Sequence, residues 1–205
     1  MKLNDCHNFE DFRKLAKKKL PSPIFHYIDG GSDDEITLNR NTSSFNDYDL
    51  IPSVLNDVSN IDMSTTVLGE KIDFPLFPAA TAMHRLYHHE GERASAKAVE
   101  KARTIFGLST MSTVSIEEIA KINKGPKLFQ LYIHKDRGLT DNLLERCKKA
   151  GFTSMCLTVD TVVAGNRERD RRTGFTTPPK LTLGSLLSFA LHPGWTINNL
   201  IHEKF

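Results

Sequence analysis

Short apolar runs alternate with helical patterns between residues 74 and 160, and this alternation constrains the fold more than any other feature of the chain. The apolar runs of strand length occupy residues 74–80, 104–109, 127–132 and 153–159. Helical patterns begin near Glu90, near Ser115, where Glu118 completes a capping box, and near Thr140. Four strands separated by three helices predict parallel strands joined by helical crossovers.

Different patterns flank this region, so we predict three parts. Residues 1–73 contain amphipathic helical patterns and a small hairpin pattern. Residues 74–160 hold the alternating strands and helices. Residues 161–205 contain a run of charges over 165–173 and an apolar stretch over 181–201, without a fifth strand pattern.

Composition excludes several classes of function. The net charge of +2 is too small to indicate nucleic-acid binding. Cys6, Cys147 and Cys156 are widely spaced, which favours a reduced cytoplasmic protein over a disulfide framework. Adjacent histidines such as His88 and His89 rarely converge on one ion, so we expect no metal site. The N-terminus has no apolar signal core, and no run reaches the roughly 18 apolar residues of a spanning helix.

Each of the four strand patterns ends in small or polar residues. They are Ala80-Thr81-Ala82, Ser109-Thr110, Gln130 with Tyr132, and Thr158-Val159-Asp160. The carboxyl ends of parallel strands meet at one edge, and that edge usually carries the binding site. Hydroxyl and amide groups there suit a planar, hydrogen-bonding ligand such as a flavin. The alternative is that they are turn and strand-end residues without a ligand.

Three further side chains suit an anionic substrate. Tyr27 and Tyr132 each offer a phenolic hydroxyl, and Arg167 can hold a carboxylate through two N–H groups. The alternative for Tyr27 is a core aromatic residue beside Phe25. A solvated run of charge is the alternative for Arg167, and it is the interpretation we favour for the neighbouring arginines. These are Arg169, Arg171 and Arg172.

Five short motifs occur in a defined order along the chain. They are Phe25-His26-Tyr27-Ile28-Asp29-Gly30-Gly31, Ala80-Thr81-Ala82-Met83, Leu108-Ser109-Thr110, Phe129-Gln130-Leu131-Tyr132 and Leu157-Thr158-Val159-Asp160. Their order and spacing resemble the FMN-dependent α-hydroxy-acid oxidases and dehydrogenases, and the resemblance covers essentially the whole chain. The first motif is most similar to the bacterial respiratory L-lactate dehydrogenases. By this resemblance the chain is the N-terminal half of such a protein.

The resemblance implies a (β/α)8 TIM barrel with FMN at its carboxyl face. This chain would contain the N-terminal helices and hairpin, which cap the barrel, and about the first four β/α units. The family positions imply that the flavin is bound by Ala80, Thr81, Ala82, Ser109, Gln130 and Thr158. They also imply that Tyr27, Tyr132 and Arg167 bind the substrate. Tyr132 would be catalytic, because it stabilises the transition state.

The implied reaction is the oxidation of an (S)-2-hydroxy acid, with L-lactate favoured, to a 2-oxo acid. Electrons would then pass to a quinone, a cytochrome or oxygen. In the family the histidine base lies in the second half of the barrel, so we expect this fragment alone to be inactive. The alternatives are a non-catalytic half barrel or truncated product, and another FMN barrel enzyme. At full length we expect a homo-oligomer.

The apolar stretch over 181–201 corresponds to an excursion after the fourth strand that contacts the membrane in respiratory members of the family. Its apolar side chains form a short stripe that suits a membrane interface. They are Leu183, Leu186, Leu187, Leu191 and Trp195. We therefore expect a cytoplasmic protein with a peripheral contact to the inner face of the cell membrane. The alternative is a loop packed on its own protein or on a neighbouring subunit.

Overall fold

A computed structural model describes residues 2–176 and 178–202. Contacts group these residues into two compact units. One unit contains the described residues up to Asn56 together with those from Val163 onward, and the other contains Asp57–Val162. The division of the chain at residues 73 and 160 stays a prediction, although the structure groups the hairpin with the larger sheet.

Three helices come first, then a hairpin, then alternating helices and strands, and finally three more helices. The helices are α1 (Phe9–Lys19), α2 (Ser22–Asp29), α3 (Ile36–Ser43), α4 (Glu92–Ala102), α5 (Ile116–Ile122), α6 (Arg137–Lys149), α7 (Glu168–Thr173), α8 (Leu183–Ala190) and α9 (Pro193–Ile201). The strands are β1 (Thr65–Val67), β2 (Glu70–Ile72), β3 (Phe106–Ser109), β4 (Lys127–Leu131) and β5 (Ser154–Leu157). β1 and β2 form the predicted antiparallel hairpin.

A side-chain cap sets the start of two crossover helices. Ser115 accepts a hydrogen bond from the backbone N–H of Glu118 (3.2 Å), which confirms the predicted start of α5. The predicted start of α6 near Thr140 is wrong, because the helix begins about one turn earlier. There Asp136 accepts a hydrogen bond from the backbone N–H of Gly138 (2.9 Å), and Thr140 is buried within the helix.

β3, β4 and β5 form a parallel sheet in that order. Leu108 of β3 lies opposite Phe129 of β4, and Gln130 of β4 lies opposite Cys156 of β5. A hydrophobic core joins the sheet to α4, α5 and α6. It contains Ala96, Val99, Phe106, Leu108, Val114, Ile116, Ile119, Phe129, Leu131 and Cys147. These elements confirm the predicted alternation of parallel strands and crossover helices.

The first predicted strand, at residues 74–80, is wrong. The structure assigns this segment to neither sheet. Pro75 and Pro78 lack the backbone N–H groups that a strand ladder requires, and this explains why the apolar run is not a strand. Leu76 is 65% exposed, so the run is not buried as a central strand would be.

The same segment nevertheless lies against β3. The hydroxyl of Thr104, just before β3, donates to the carbonyl oxygen of Leu76 (2.8 Å). A Cβ on Gly107 of β3 would lie 3.0 Å from the backbone nitrogen of Ala80 and 3.2 Å from the carbonyl oxygen of Pro78. The glycine therefore allows the backbone of residues 78–80 to approach the sheet closely.

The other unit is helical in its described residues. α2 forms over a segment for which the sequence pattern predicts no helix, and Pro23 in its first turn suits the unpaired N–H positions of a helix start. α7 packs against α2. The apolar stretch over 181–201 forms α8 and α9, and much of its apolar surface is exposed. The exposed side chains include Leu183, Leu186, Leu187, Leu191, Ile197 and Leu200.

Candidate functional site

Three polar side chains join the carboxyl ends of β3, β4 and β5, and we call Ser109, Gln130 and Thr158 the polar row. The hydroxyl of Ser109 donates to Gln130 Oε1 (3.0 Å), and Gln130 Nε2 donates to Thr158 Oγ1 (2.5 Å). The parallel register places Ser109 directly opposite Gln130. Both are buried, whereas Thr158, the residue after β5, is half-buried. The structure therefore brings together three of the predicted flavin-binding residues.

The polar row keeps hydrogen-bonding capacity for a ligand. Gln130 has two amide hydrogens and gives one to Thr158, so the second can be given to another acceptor. The hydroxyl oxygen of Thr158 accepts that bond, so its own hydrogen can be donated elsewhere. Donors in this position match the carbonyl and ring-nitrogen acceptors along the edge of a flavin ring.

Ala80, Thr81 and Ala82 follow the segment that lies against β3. Their side chains are small; Thr81 is exposed, and both alanines are half-buried. A flat ligand can therefore approach their backbone groups closely. The next residue, Met83, donates its N–H to the carbonyl oxygen of Met111 (3.0 Å), which ties this segment to the loop after β3.

Tyr27 of α2 contacts Arg167, the residue before α7. The guanidinium carbon of Arg167 lies 5.2 Å from the centre of the Tyr27 ring, and a terminal nitrogen donates to the Tyr27 carbonyl oxygen. Arg167 Nε donates to the buried carboxylate of Asp170 (2.7 Å). Tyr27 also packs edge-on against Phe175, with 5.1 Å between ring centres. Two of the three predicted substrate-binding residues are thus adjacent, and Arg167 is held rather than freely solvated.

Arg169 belongs to an ion-pair network, so the favoured interpretation of a solvated charge is wrong for this residue. Its guanidinium pairs with Asp29 (2.8 Å) and with Glu35. Asp29 also pairs with Arg13 Nε (2.6 Å), so α1, α2 and α7 meet at one carboxylate. The hydrogen bond from Arg13 is the main reason that the pKa of Asp29 is lowered from its usual value.

Tyr132 lies one residue past β4 in the other unit and is half-buried. Its N–H donates to the hydroxyl oxygen of Thr110 (3.1 Å), and that hydroxyl donates to the carbonyl oxygen of Gln130 (2.6 Å). These bonds fix the backbone at the end of β4. Because Tyr27 and Arg167 belong to the first unit, a joint substrate site with Tyr132 stays a prediction, as does a catalytic role for Tyr132.

A cavity of about 340 Å³ opens beside the end of β3. It shares Ser109 with the polar row, but it is also lined by Phe129 and by Leu143 and Arg146 of α6. Phe129 and Leu143 belong to the core between the sheet and its helices. The cavity therefore lies on the helix side of the sheet.

Comparisons with known proteins agree on one family. A family model described as FMN-dependent dehydrogenase matches residues 16–204. L-lactate oxidase from Nostoc sp. is 46% identical over 187 residues, which is 89% of this chain and 51% of that protein. Glycolate oxidase 1 from Zea mays is 43% identical over 181 residues, which is 88% of this chain and 49% of that protein. The crystal structure of the monotopic membrane protein (S)-mandelate dehydrogenase matches with a TM-score of 0.89 and 34% identity, covering 98% of this chain and 53% of that one.

Parallel β–α–β units with a polar carboxyl edge define a β/α protein that binds its ligand at that edge. The chain belongs to the FMN-dependent dehydrogenase family. Its fold class is the (β/α)8 TIM barrel, of which the described residues form the N-terminal helices and first β/α units. The chain spans about half the length of these relatives. The family uses FMN, and the polar row fits one edge of a flavin ring.

The sequence analysis did not identify two buried carboxylates that lie near the predicted site residues. Asp170, which is 8% exposed, holds Arg167, and Glu92, which is 1% exposed, lies at the start of α4. A signal existed for Glu92, because Ala96 and Val99 follow at helical spacing and share its buried face. A carboxylate on an apolar helix face indicates a buried polar network. Asp170 lies within a run of charges and offers no comparable signal.

Proposed function

We propose that this chain supplies flavin-edge and substrate-anion groups for the oxidation of an (S)-2-hydroxy acid, with L-lactate favoured, to a 2-oxo acid. The observation that carries the proposal is the hydrogen-bonded polar row at the carboxyl ends of three adjacent parallel strands. FMN, when bound, supplies the two-electron acceptor that such an oxidation requires. The residues of this chain would hold the reactants and orient their polar groups.

The polar row is proposed to bind the flavin edge. Ser109 and Thr158 contact the Gln130 amide from both sides, so the amide orientation is set before a ligand arrives. Donors that are already oriented stabilise developing charge without having to reorganise. Residues 80–82 would add backbone groups and the exposed Thr81 hydroxyl, because their small side chains let a flat ring approach.

The substrate anion is proposed to bind Tyr27, Tyr132 and Arg167. Arg167 gives its Nε to Asp170 and one terminal nitrogen to the Tyr27 carbonyl. Within residues 2–176 and 178–202 the other terminal nitrogen has no assigned hydrogen bond, and we assign it to the substrate carboxylate. Tyr132 would donate its phenolic hydrogen to the substrate oxygen on which charge develops. Tyr27 and Arg167 are thus proposed to bind the substrate, and Tyr132 is proposed also to stabilise the transition state.

L-lactate and the electron acceptors belong to the same proposal. The motif Phe25–Gly31 supports L-lactate, whereas the names of the relatives above include lactate, glycolate and mandelate. The proposed acceptors are a quinone, a cytochrome or oxygen. Reduction assays of the full-length protein with each acid and each acceptor test both points.

A peripheral membrane contact through α8 and α9 is also proposed. Leu183 is 86% exposed and Leu187 is 60% exposed, and one solved relative is described as a monotopic membrane protein. Among residues 2–176 and 178–202, no helix is long and apolar enough to cross a membrane. We expect flotation with vesicles of phosphatidylcholine and phosphatidylglycerol, and loss of flotation in a Leu183→Glu, Leu187→Glu variant. Equal flotation of both proteins would reject the membrane contact.

FMN titration of the 205-residue chain, followed by flavin fluorescence, tests the cofactor site. We expect Gln130→Leu to weaken FMN binding about tenfold or more, because it removes the flavin donor and leaves two hydroxyls without their partner. Asn123→Leu is the matched control. It removes another buried amide, which donates to the carbonyl oxygen of Ala96 in α4 (3.2 Å). Asn123 lies just before β4, so it is at the opposite end of that strand from Gln130.

The control separates cofactor binding from stability. Equal weakening by Asn123→Leu would show that Gln130 contributes to folding only. Because we expect the fragment alone to be inactive, the reaction is tested in the full-length protein, by bleaching of its bound flavin with L-lactate, glycolate or (S)-mandelate under nitrogen. FMN binding without bleaching by any 2-hydroxy acid would favour the non-catalytic alternative or another FMN barrel enzyme.

A further inference from the structure

We propose that Glu92 is a positioning residue that holds the segment carrying Ala80–Ala82 and the loop after β3 in their binding arrangement. This inference rests on the proposed FMN site, because residues 80–82 and Ser109, which directly precedes the loop after β3, are assigned to the flavin. Glu92 lies at the first position of α4 and is 1% exposed. A buried carboxylate needs several hydrogen-bond donors, and here they come from both segments.

One carboxylate oxygen of Glu92 contacts both segments, and the other contacts only the loop after β3. Oε1 accepts from the backbone N–H of Thr113 (2.9 Å) and from that of His84 (3.2 Å). Oε2 accepts from the hydroxyl of Thr113 (2.7 Å). The Thr113 hydroxyl oxygen accepts from the backbone N–H of Arg85 (3.1 Å), which closes the connection between the two segments.

A hydrogen-bonded path leads from these contacts to the polar row. Met83 N–H donates to the Met111 carbonyl (3.0 Å), and Met111 N–H donates to the hydroxyl oxygen of Ser109 (3.1 Å). The hydroxyl of Ser109 in turn donates to Gln130. Glu92 thus fixes His84 and Thr113, which lie next to the Met83–Met111 hydrogen bond in the two segments. That hydrogen bond connects residues 80–82 to the polar row, and both are proposed to bind the flavin.

Backbone strain at Met83 explains why such fixation is needed. Met83 has a φ of 53°, a left-handed conformation that is unfavourable for a residue with a Cβ. Such a conformation persists where surrounding contacts hold it. The Glu92 bonds to His84 N–H and to Thr113 hold the residues that follow Met83 and Met111. Without them, the segment with residues 80–82 is expected to relax away from the flavin-binding arrangement.

Glu100 provides a matched control on the same helix. Its Oε2 accepts from the backbone N–H groups of Lys124 (2.9 Å) and Gly125 (3.1 Å), just before β4. Glu92 and Glu100 therefore both bind loop N–H groups from α4, but at opposite ends of the sheet. Glu92→Gln and Glu100→Gln each remove the negative charge that strengthens these hydrogen bonds and one of the two accepting oxygens. Donors contact both oxygens of Glu92, whereas both N–H groups at Glu100 contact Oε2.

The test compares hydrogen exchange and FMN binding in the wild type and both variants. In the FMN-free 205-residue chain, Glu92→Gln should increase exchange in residues 82–86 and 111–114, whereas Glu100→Gln should not. With FMN, Glu92→Gln should weaken binding about tenfold or more, and Glu100→Gln should change it less than about twofold. The bound flavin in Glu92→Gln should also show shifted absorption bands, since the edge contacts are displaced.

The outcomes separate this inference from the proposed function. If the wild-type chain binds no FMN, the proposed site fails, and hydrogen exchange alone decides whether Glu92 positions the two segments. Unchanged exchange at 82–86 and 111–114 in Glu92→Gln would overturn the inference even if FMN binds. Equal effects of both variants on exchange and FMN binding would also overturn it, because Glu92 would then contribute only to the stability of α4.

Discussion

Arg167 stacks its guanidinium on the Tyr27 ring, with 5.2 Å between Cζ and the ring centre, while a terminal nitrogen donates to the carbonyl oxygen of the same tyrosine. The side chain and the backbone of Tyr27 therefore both contact one arginine. Asp170 completes the arrangement by accepting from Nε (2.7 Å). A planar group with donors on several sides makes all three contacts at once, which a lysine ammonium cannot do.

Arg167→Lys is therefore expected to reduce stability although the charge is kept. We expect the free energy of unfolding in urea to fall by about 1–2 kcal/mol, since the stacking and a charge-assisted hydrogen bond are lost. Arg172→Lys is the control, because Arg172 pairs with Glu168 on an exposed surface. Its effect should stay within about 0.5 kcal/mol. Equal losses in both variants would contradict the importance of the Tyr27 contact.

The pKa of His26 reports on the Arg169 network. Burial is the main cause that lowers the pKa of His26 from its usual value, and the charge of Arg169 lowers it further. Arg169→Gln should therefore raise the pKa of His26 in an NMR titration of its ring protons. Arg171→Gln, on the exposed side of α7, should leave the titration unchanged. A His26 pKa that falls or stays constant in Arg169→Gln would contradict the assignment.

The direction of the pH effect follows from the lowered pKa of His26. Below its usual value of 6.5, the unfolded chain takes up a proton at His26 more readily than the folded chain does. His26 therefore reduces stability as pH falls below 6.5 and has no such effect above it. In Arg169→Gln this acid-side loss should be smaller, which urea unfolding at pH 7 and pH 5 measures.

The sequence predicted those elements that have a local signature, namely a continuous apolar run or a helix cap. β3 and β4 are almost fully buried, so their apolar runs were recognisable, and the cap of α5 was visible as Ser115 with Glu118. The apolar run over 74–80 was wrongly predicted to be a strand, because its apolar content was given more weight than its two prolines. α2 was missed because its eight residues are too few to show a clear helical period.

The candidate site was predictable to the extent that strand order places residues together. Ser109, Gln130 and Thr158 lie at the carboxyl ends of successive strands, so a parallel sheet brings them to one edge. The role of Arg169 was not predictable, since its partner Asp29 lies 140 positions away along the chain. No local pattern specifies which of several arginines in one charge run will meet a distant carboxylate.

Gly107 tests the close approach between β3 and residues 78–80. Gly107→Ala should lower the free energy of unfolding by about 1–3 kcal/mol, because its Cβ would lie 3.0 Å from the Ala80 backbone nitrogen. Gly184→Ala in α8 is the control, since among the described residues outside the helix backbone its Cβ would first meet the Thr182 hydroxyl, at 3.9 Å. That control should be neutral or stabilising by up to about 1 kcal/mol. A neutral Gly107→Ala would show that residues 78–80 do not pack on β3.

The Glu117–Arg146 ion pair connects α5 to α6 and gives a second pH-dependent prediction. Arg146 Nε and a terminal nitrogen contact the two Glu117 oxygens at 2.7 Å and 2.8 Å. The hydrogen bonds from Arg146 are the main reason that the pKa of Glu117 is lowered from 4.5 to about 2. Both side chains are partly exposed, so solvent limits the contribution to about 0.5–1 kcal/mol.

Because the pKa of Glu117 is lower in the folded chain, the ion pair stabilises fully above pH 4.5 and loses its effect as pH falls toward 2. Glu117→Gln should thus be less stable than the wild type at pH 7, and the difference in urea midpoint should close between pH 4.5 and pH 2. Glu145→Gln, which loses only an exposed contact to Lys149 at 3.6 Å, should match the wild type throughout. A difference that does not change with pH would mean that Glu117 stabilises α5 by packing and not by its charge.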